Sequence, residues 1–495
     1  MNIRLPRRQV LAGTLAGLGG LALPDRARGI PAGAGVEGLV RLIIDSPREK
    51  LVDAVAEKIR GGAGYRELLA ATLLAGVRDI RARPVGFEFH CVLAVHSAHL
   101  AAQGGPGSER FLPLLWAMDN FKDAQAVKRR KGEDDWVLPA IDGSKLPAPA
   151  QARARYLAAM AAWDEEGADL AITALVRSGQ PEQIRDLLFR HGARDFRDIG
   201  HKAIYVANSY RTLQCIGWQH AEPVLRSLAY ALLAHRGEGN PGTSDLAPDR
   251  PGRRNAELAK KLRPDWTSGK LDSAATKEML ATLRTGSANE ACDMAVKQIN
   301  SGVHPQSVWD ALFLGGGELL FRQRGIVALH ALTTANALRY AFETSGDDQT
   351  RRLVTLQCAA FVPLFREAMQ SRGKVAEFKI DELVSAPTVA SDREPIAREI
   401  FDELGKDRQS AAGKLLGALE YERLTAREVI DAGRVLVFLK GENAHDYKFS
   451  SAVLEDYYHV SPAWRNKFLA AGVFNLRSSA DRDNALVKRT RAALG

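Results

Sequence analysis

The chain has few cysteines, few aromatic residues and no long apolar runs. It has four cysteines in 495 residues, at positions 91, 215, 292 and 358, and no two of them form a Cys-x-x-Cys pair. A zinc knuckle or a dithiol redox motif is therefore not expected. Three of the four lie in apolar helical segments, where a free cysteine behaves as a small hydrophobic residue. The sequence thus predicts cysteines that contribute to packing.

Several common catalytic and binding motifs are also missing. The sequence contains no Gly-x-Gly-x-x-Gly turn after a strand and no Gly-x-Ser-x-Gly motif. A Rossmann site for NAD or flavin and a hydrolase nucleophile elbow are therefore not supported. The triplet Gly315-Gly316-Gly317 lacks the lysine of a phosphate loop, and close helix packing or a kink explains it better.

Alternation of apolar and polar residues with period two is almost absent, whereas apolar residues at helical spacing recur along the chain. We therefore predict an all-α fold, a large helical array with three diverged histidine-bearing hairpins around a central pocket. Composition is typical of a globular protein, with 46% hydrophobic and 26% charged residues.

The net charge of +9 comes from basic residues that are interleaved with acidic ones. No basic stripe with aromatic residues is present, so a nucleic acid partner is not expected. A basic protein that meets small anionic molecules fits this charge. Apart from the N-terminus, no segment is apolar over the ~20 residues that a membrane helix needs, so we expect no integral membrane domain.

The N-terminus carries Arg7-Arg8 ahead of a weakly apolar run from Val10 to Leu23. Residues 1–28 resemble a twin-arginine export signal. That resemblance implies a periplasmic or exported protein and the twin-arginine machinery as a partner. It also implies export in the folded state, often with a cofactor already inserted, and leaves open whether the signal is cleaved or retained.

Residues 29–495 are predicted to form a single large α-helical domain with a C-terminal helical segment at 376–495. The longest irregular stretch, 237–254, is rich in glycine and proline. Long loops within compact domains are either functional or exposed insertions. We therefore consider both a lid near the second histidine helix and a simple insertion.

One motif recurs three times along the chain. A histidine is followed by a polar residue six or seven positions later and by a basic residue three positions after that. The three copies are FHCVLAVHSAHLAA (89–102), GHKAIYVANSYRTL (200–213) and LHALTTANALRYAF (329–342). The surrounding residues are apolar or small, so each copy is predicted to form a buried helix. Burial of its polar side chains costs free energy unless they have hydrogen-bond partners. Such helices could meet and satisfy one another around a shared site.

We predict that His90, His201 and His330 are the catalytic residues of this site. His96 and His99 share a helix face, and imidazole is a good ligand for iron, copper or zinc. The predicted metal ligands are His96, His99, His201 and His330, with iron or copper as the metal. The alternative is that these histidines are core residues hydrogen-bonded to backbone or to one another.

The remaining polar residues of the motif are predicted to bind a small-molecule substrate, since arginine suits bidentate contacts with oxygenated anions. They are Tyr205, Asn208, Arg211, Asn336 and Arg339. Near the C-terminus, His445-Asp446 could orient an imidazole, although Asp446 is equally suited to cap a helix.

The third copy resembles the questin oxidase-like family. It is similar to that family's His-x-x-Thr-x-x-x-Ala-Leu-Arg stretch, here His330, Thr333, Ala337, Leu338 and Arg339. The other two copies are looser matches, and the resemblance extends over about residues 65–375. It implies an α-helical monooxygenase that performs Baeyer–Villiger oxidation of aromatic polyketide ketones with NADPH.

Two features depart from that family. An exported protein is not expected to find NADPH, and the second helix lacks an additional histidine near Tyr205. The sequence therefore leaves two hypotheses. One is an exported oxidoreductase, monooxygenase-like, acting on an oxygenated and aromatic small molecule. The other is a non-enzymatic periplasmic helical binding or scaffold protein, in which the motif only fixes helix packing.

Overall fold

The computed structural model describes residues 34–105, 107–133, 135–179, 181–233 and 239–495. Within these residues the chain is helical, with an isolated bridge between Lys270 and Val303 as the only β-type pairing. The predicted all-α helical array is confirmed. The predicted export signal at 1–28 lies outside the described residues.

Twenty-three α-helices form the described part of the chain. The first twelve are α1 (Ala34–Asp45), α2 (Arg48–Arg60), α3 (Tyr65–Asp79), α4 (His90–Leu93), α5 (Val95–Gly104), α6 (Leu112–Arg130), α7 (Pro149–Ala162), α8 (Glu165–Ser178), α9 (Pro181–Gly192), α10 (His201–Ile216), α11 (Ala221–Leu232) and α12 (Arg250–Leu258). The others are α13 (Ser273–Thr285), α14 (Ala288–Asn300), α15 (Pro305–Arg322), α16 (Ile326–Thr344), α17 (Asp348–Gln370), α18 (Arg393–Glu403), α19 (Arg408–Glu420), α20 (Ala426–Lys440), α21 (Ala444–Asp456), α22 (Arg465–Gly472) and α23 (Ala485–Leu494).

The three motif copies lie on α4–α5, α10 and α16, and each is followed by a helix that contacts it. Helix α16 is buried along almost its whole length and contacts α10, α15, α17 and α21. Helix α5 in turn contacts α10, α20 and α21. The motif helices therefore converge, and α21 of the C-terminal segment lies against two of them.

Close packing at the glycine triplet helps to place α16. A Cβ atom at Gly316 would lie 3.2 Å from Leu332 Cδ2 on α16, and one at Gly315 would lie 3.1 Å from Leu283 Cδ1 on α13. These distances are tighter than ordinary contact, so larger residues would push the helices apart. The prediction of close helix packing at the triplet is confirmed.

The first motif helix differs from the continuous helix that the sequence predicts. A 3-10 turn at Phe87–Phe89 leads into α4, and the helix is interrupted for one residue, Ala94, before α5 begins. Asn208 of α10 donates a hydrogen bond of 2.9 Å from Nδ2 to the Leu93 carbonyl oxygen at this break. Ala94 keeps right-handed helical dihedral angles, and His96, six residues after His90, lies about 240° around an ideal helix from it.

The predicted lid loop at 237–254 is shorter than expected, because residues from Arg250 onward belong to α12. Residues 239–249 are held by a buried ion pair between Arg197 and Asp249, 2.7 Å long. The Phe196 amide also donates to the Pro248 carbonyl oxygen. This part of the loop is therefore fixed against the segment that precedes His201.

None of the described helices combines the length and the apolar character that a bilayer span requires.

Candidate metal centre

Three histidines from distant parts of the sequence meet in the core. His90 begins α4, His201 begins α10, and His330 lies in the second turn of α16. The Nε2 atom of His201 is 3.0 Å from that of His90 and 2.8 Å from that of His330. All three side chains are buried, and His330 is completely inaccessible to solvent. The structure therefore brings His90, His201 and His330 together in the core.

The other ring nitrogen of each histidine is held by the backbone. The Nδ1 atoms of His90, His201 and His330 lie 2.8, 2.7 and 2.6 Å from the carbonyl oxygens of residues 87, 198 and 326. A carbonyl oxygen only accepts hydrogen bonds, so each Nδ1 carries the proton. A neutral imidazole has one N–H group. The Nε2 atoms of His90 and His330 therefore both direct bare lone pairs at the Nε2 atom of His201.

Two bare nitrogen lone pairs at these separations repel unless a proton or a metal cation lies between them. Metal-binding histidines show the same arrangement, in which one nitrogen donates to a backbone carbonyl and the other faces the ion. The backbone contacts also fix the ring orientation before any ion arrives. The cluster thus has the features of a preorganised cation site.

Burial and neighbouring positive groups hold these rings in the neutral state. Desolvation is the main cause that lowers the pKa of His90, His201 and His330 well below the usual value. Repulsion from other histidines and from Lys448 adds to it. Neutral imidazole is the form that coordinates metals.

A fourth histidine, His445, stands beside the cluster in the first turn of α21. Its ring centroid is 4.6 Å from that of His90 and 5.3 Å from that of His330. Ligand nitrogens of these three residues all lie within 4.8 Å of one another. Within the described part of the chain the buried Nε2 atom of His445 has no hydrogen-bond partner, while the residue as a whole is partly exposed. His445 therefore borders the site on the side that reaches solvent.

Sequence reasoning did not include His445 among the site residues, although the polar run at 443–448 was visible. Asp446 does not orient this ring; it forms a capping box with Asn443 and accepts a 2.8 Å hydrogen bond from Arg477 Nη2. The capping alternative for Asp446 is confirmed.

Lys448 also reaches the cluster from α21. Its Nζ atom lies 3.4 Å from His330 Nε2, and the side chain is buried. Burial lowers the pKa of Lys448 to about 7. The signal in the sequence was a lysine within an apolar helix, three residues after His445 and hence on the same face.

The backbone that leads into His201 is unusual. Ile199 and Gly200 both have positive φ angles, 44° and 82°. Such conformations are uncommon for residues with side chains and often occur at functional sites. A Cβ atom at Gly200 would lie only 1.9 Å from Thr334 Oγ1 on α16. Glycine is therefore needed where the start of α10 meets α16.

His96 and His99, two of the four predicted metal ligands, have different neighbours. His99 Nδ1 is 3.2 Å from the Tyr65 hydroxyl, and its Nε2 is 2.9 Å from Gln103 Nε2. His96 is buried, and its Nδ1 has no partner in the described part of the chain. His96 and His99 follow His90 by six and nine residues and therefore point away from it around the helix, so their predicted role as metal ligands has no geometric support.

The predicted substrate-binding residues have partners within the protein. Arg211 donates from Nη1 to Asn336 Oδ1 at 2.7 Å and forms a 2.9 Å ion pair with Glu455. Asn336 donates from Nδ2 to Glu455 and to Asp456. Together with the bond of Asn208 to the first motif helix, these contacts join α10, α16 and α21 beside the histidines.

Arg339 and Tyr205 also bond to other side chains of the protein. Arg339 pairs with Glu343 at 2.8 Å and donates to Gln306. The Tyr205 hydroxyl donates to Ser227 Oγ at 3.0 Å. These contacts account for both side chains without a ligand, and their predicted contact with substrate remains a prediction.

A cleft of about 460 Å³ lies away from the histidines. Its lining consists of Ile44, Arg78, Asp79, Val137, Leu138, Pro139, Ala140, Glu222, Pro223 and Arg226. No histidine lines it, so the histidine cluster is not part of the wall of this cleft.

Comparison with protein families, curated proteins and solved structures found no match for the chain. The resemblance to the questin oxidase-like family therefore remains a prediction.

Proposed function

We propose that the protein is an oxidoreductase whose centre is one transition-metal ion bound by the Nε2 atoms of His90, His201 and His330. The observation that carries the proposal is the set of three bare nitrogens, two of which face the third, each fixed by a backbone bond at Nδ1. A shared proton could bridge only two of them, whereas a metal ion can serve all three. His445 supplies a possible fourth ligand at the edge.

The distances favour copper among the metals that imidazole binds. For a metal–nitrogen distance of about 2.1 Å, adjacent ligands at right angles lie about 3.0 Å apart, and tetrahedral ligands about 3.4 Å apart. The observed separations of 3.0 and 2.8 Å match the right-angled arrangement. Right angles between adjacent ligands occur in tetragonal Cu(II) and Ni(II) sites and also in octahedral sites, so the choice of copper depends on the ligand types as well. The cluster also lacks the carboxylate of the common non-haem iron triad.

A copper ion bound in this way would supply one-electron oxidation chemistry. The chain's own residues would hold it, keep bulk water away and leave access on the side of His445. This fits an exported oxidase acting on an oxygenated, aromatic small molecule, as the family resemblance implies. NADPH has no role in this proposal, since the described residues contain no strand–helix–strand unit for a dinucleotide.

The test is metal content together with the electron paramagnetic resonance spectrum, on protein purified without chelators. We expect about one copper per chain and nitrogen hyperfine structure from imidazole. His330→Asn should lose the metal. His191→Asn is the matched control, because His191 makes the same bond to a carbonyl four residues earlier, 2.8 Å long, but faces Tyr156.

His99→Asn separates the present ligand set from the set predicted from the sequence. It should retain copper, because His99 contacts Tyr65 and Gln103 instead of the cluster. A native protein that binds no copper, zinc or nickel when these are supplied would contradict the proposal.

A non-enzymatic scaffold is the second candidate, and the internal network around Arg211 and Asn336 favours it. Those residues join three helices and need no ligand to be satisfied. In that case His201→Asn and His330→Asn should lower stability without loss of any bound metal or activity. If the His201→Asn and His330→Asn variants stay folded but have lost copper, the scaffold hypothesis is contradicted.

A further inference from the structure

A second cleft, of about 190 Å³, lies between helix α6 and the turn that joins α1 to α2. Its volume is about six times that of a molecule in liquid water. Arg48 from the turn and Arg129 from α6 line the cleft, and both residues are exposed. The cleft therefore has room for a small ligand and opens to solvent.

Lys122 of α6 is a nearly buried amine in the wall of this cleft, 4% exposed. Its Nζ atom donates to the Ile44 carbonyl oxygen and to Gln125 Oε1, both at 2.8 Å. Both acceptors are uncharged. Lys122 has no ion-pair partner among the described residues, whereas the buried Lys128 pairs with Asp79 at 2.9 Å.

The amine of Lys122 has bonding capacity left. An ammonium group has three N–H donors, and the two uncharged oxygens use two of them. Burial is the main cause that lowers the pKa of Lys122, to about 8, so the amine is mostly protonated at pH 7. Burial of an unpaired ammonium costs free energy. The remaining donor and the unpaired charge therefore favour an anion in the cleft that Lys122 lines.

Two further features of the lining favour an anion. Arg129 makes no side-chain hydrogen bond or ion pair with the described residues, and its charge lowers the pKa of Lys122. Helix α2 begins at Arg48, and no side chain caps its amino end. The first N–H groups of a helix lack intrahelical partners and carry partial positive charge. The guanidinium of Arg48 is already paired with Asp119 and Asp123.

The charges of the lining do not cancel. One carboxylate, Asp45, borders the cleft, and it is exposed. The charges of Lys122 and Arg129 exceed it by one, since the charge of Arg48 is neutralised elsewhere. A lysine beside the amino end of a helix is a combination that suits phosphate groups.

We infer that this cleft binds a small oxyanion of the phosphate type, held by Lys122, Arg129 and the amino end of α2. The ligand is free phosphate or the phosphoryl group of a larger molecule, because the cleft opens to solvent. The inference does not depend on the proposed metal, since no histidine lines this cleft.

Isothermal titration calorimetry at pH 7 tests the inference, with inorganic phosphate as the probe and the whole chain as the sample. We expect saturable binding of one phosphate per chain. Lys122→Met should raise the phosphate dissociation constant at least about tenfold, the loss expected for a hydrogen bond to a charged group. Arg129→Gln should raise it about threefold, because an exposed charge contributes less.

Arg130→Gln is the matched control. Arg130 is the next residue of α6 and is equally exposed, but it does not line the cleft. Its replacement should leave phosphate binding unchanged. Circular dichroism checks the fold of each variant, and if Lys122→Met does not fold, the comparison of Arg129→Gln with Arg130→Gln decides.

Phenyl phosphate distinguishes the two sources of the phosphoryl group. Tighter binding of phenyl phosphate than of inorganic phosphate would assign the cleft to an organic phosphate, and weaker binding would assign it to the free ion. Absence of saturable phosphate binding to the native protein would overturn the inference. So would equal effects of Arg129→Gln and Arg130→Gln, since the anion would then respond only to surface charge. Neither result bears on the metal content, which is measured separately.

Discussion

At the scale of single residues, burial favours the neutral forms of several ionisable side chains. It lowers the pKa of the three central histidines and raises the pKa of Asp456 at the end of α21. Asp456 is completely buried, one of its oxygens accepts from Asn336, and the other has no partner in the described structure. Burial raises the pKa of Asp456 to about 8.

The raised pKa of Asp456 predicts a pH dependence of stability. The unfolded state loses this proton above about pH 4, whereas the folded state keeps it until about pH 8. The free energy of unfolding should therefore fall as the pH rises within that window. Asp456→Asn should lack this decline, which is about 2 kcal/mol between pH 5.5 and 7. Urea unfolding of both proteins at the two pH values measures it, and parallel behaviour would refute the prediction.

At the scale of elements, the histidines are positioned by the first turns of their helices. His90 and His201 are the first residues of α4 and α10, and each bonds to a carbonyl three residues earlier. Short turns with irregular backbone precede both helices. Those turns, rather than helix periodicity, determine where the rings point.

Gly200 gives a direct test of this role. Gly200→Ala places a methyl group in the left-handed region of the backbone and against Thr334. Gly179→Ala is the matched control, because Gly179 has a similar φ of 77° with nothing within 4 Å of the added atom. The control should cost about 1 kcal/mol from its backbone conformation alone.

Gly200→Ala should cost about 2 kcal/mol more than the control because of the steric conflict. It should also weaken copper binding through displacement of His201. Denaturant titration and metal analysis provide the two measurements, and equal costs for both variants would show that α10 and α16 are not fixed at this point.

At the scale of the whole molecule, the proposed ion connects segments that are far apart in sequence. Its ligands lie at positions 90, 201 and 330, with His445 beside them. These nitrogens are close together only in the folded state, so metal binding stabilises that state through linkage. The metal site would cross-link distant helices of the array and would also be the reactive centre.

Removal of the metal should therefore lower the thermal midpoint of the whole protein. At free copper about 1,000 times the dissociation constant, the stabilisation is about 4 kcal/mol. Differential scanning calorimetry at one fixed scan rate, before and after chelation, measures the change. Copper should restore the midpoint and magnesium should not, since magnesium prefers oxygen ligands. Identical midpoints with and without copper would mean that the cluster binds no ion.

The sequence by itself determined the helical class and the three buried histidine helices, because apolar spacing and isolated polar residues are local signals. It also singled out His90, His201 and His330. The prediction of His96 and His99 as further ligands has no support in the structure, where His99 contacts Tyr65 and Gln103 instead. Helix periodicity places the two rings on one face but does not specify which residues that face meets.

Only the tertiary structure decided which polar groups meet. His445 and Lys448 join the cluster from a segment more than 100 residues after His330, and no local pattern specifies that contact. The partners of Arg211, Asn336 and Arg339 within the protein are likewise not specified by any local pattern. Helix formation depends on neighbours along the chain, whereas a shared site depends on how α10, α16 and α21 pack together. The physical reason is that their packing is set by the burial of whole helix faces and not by the site residues alone.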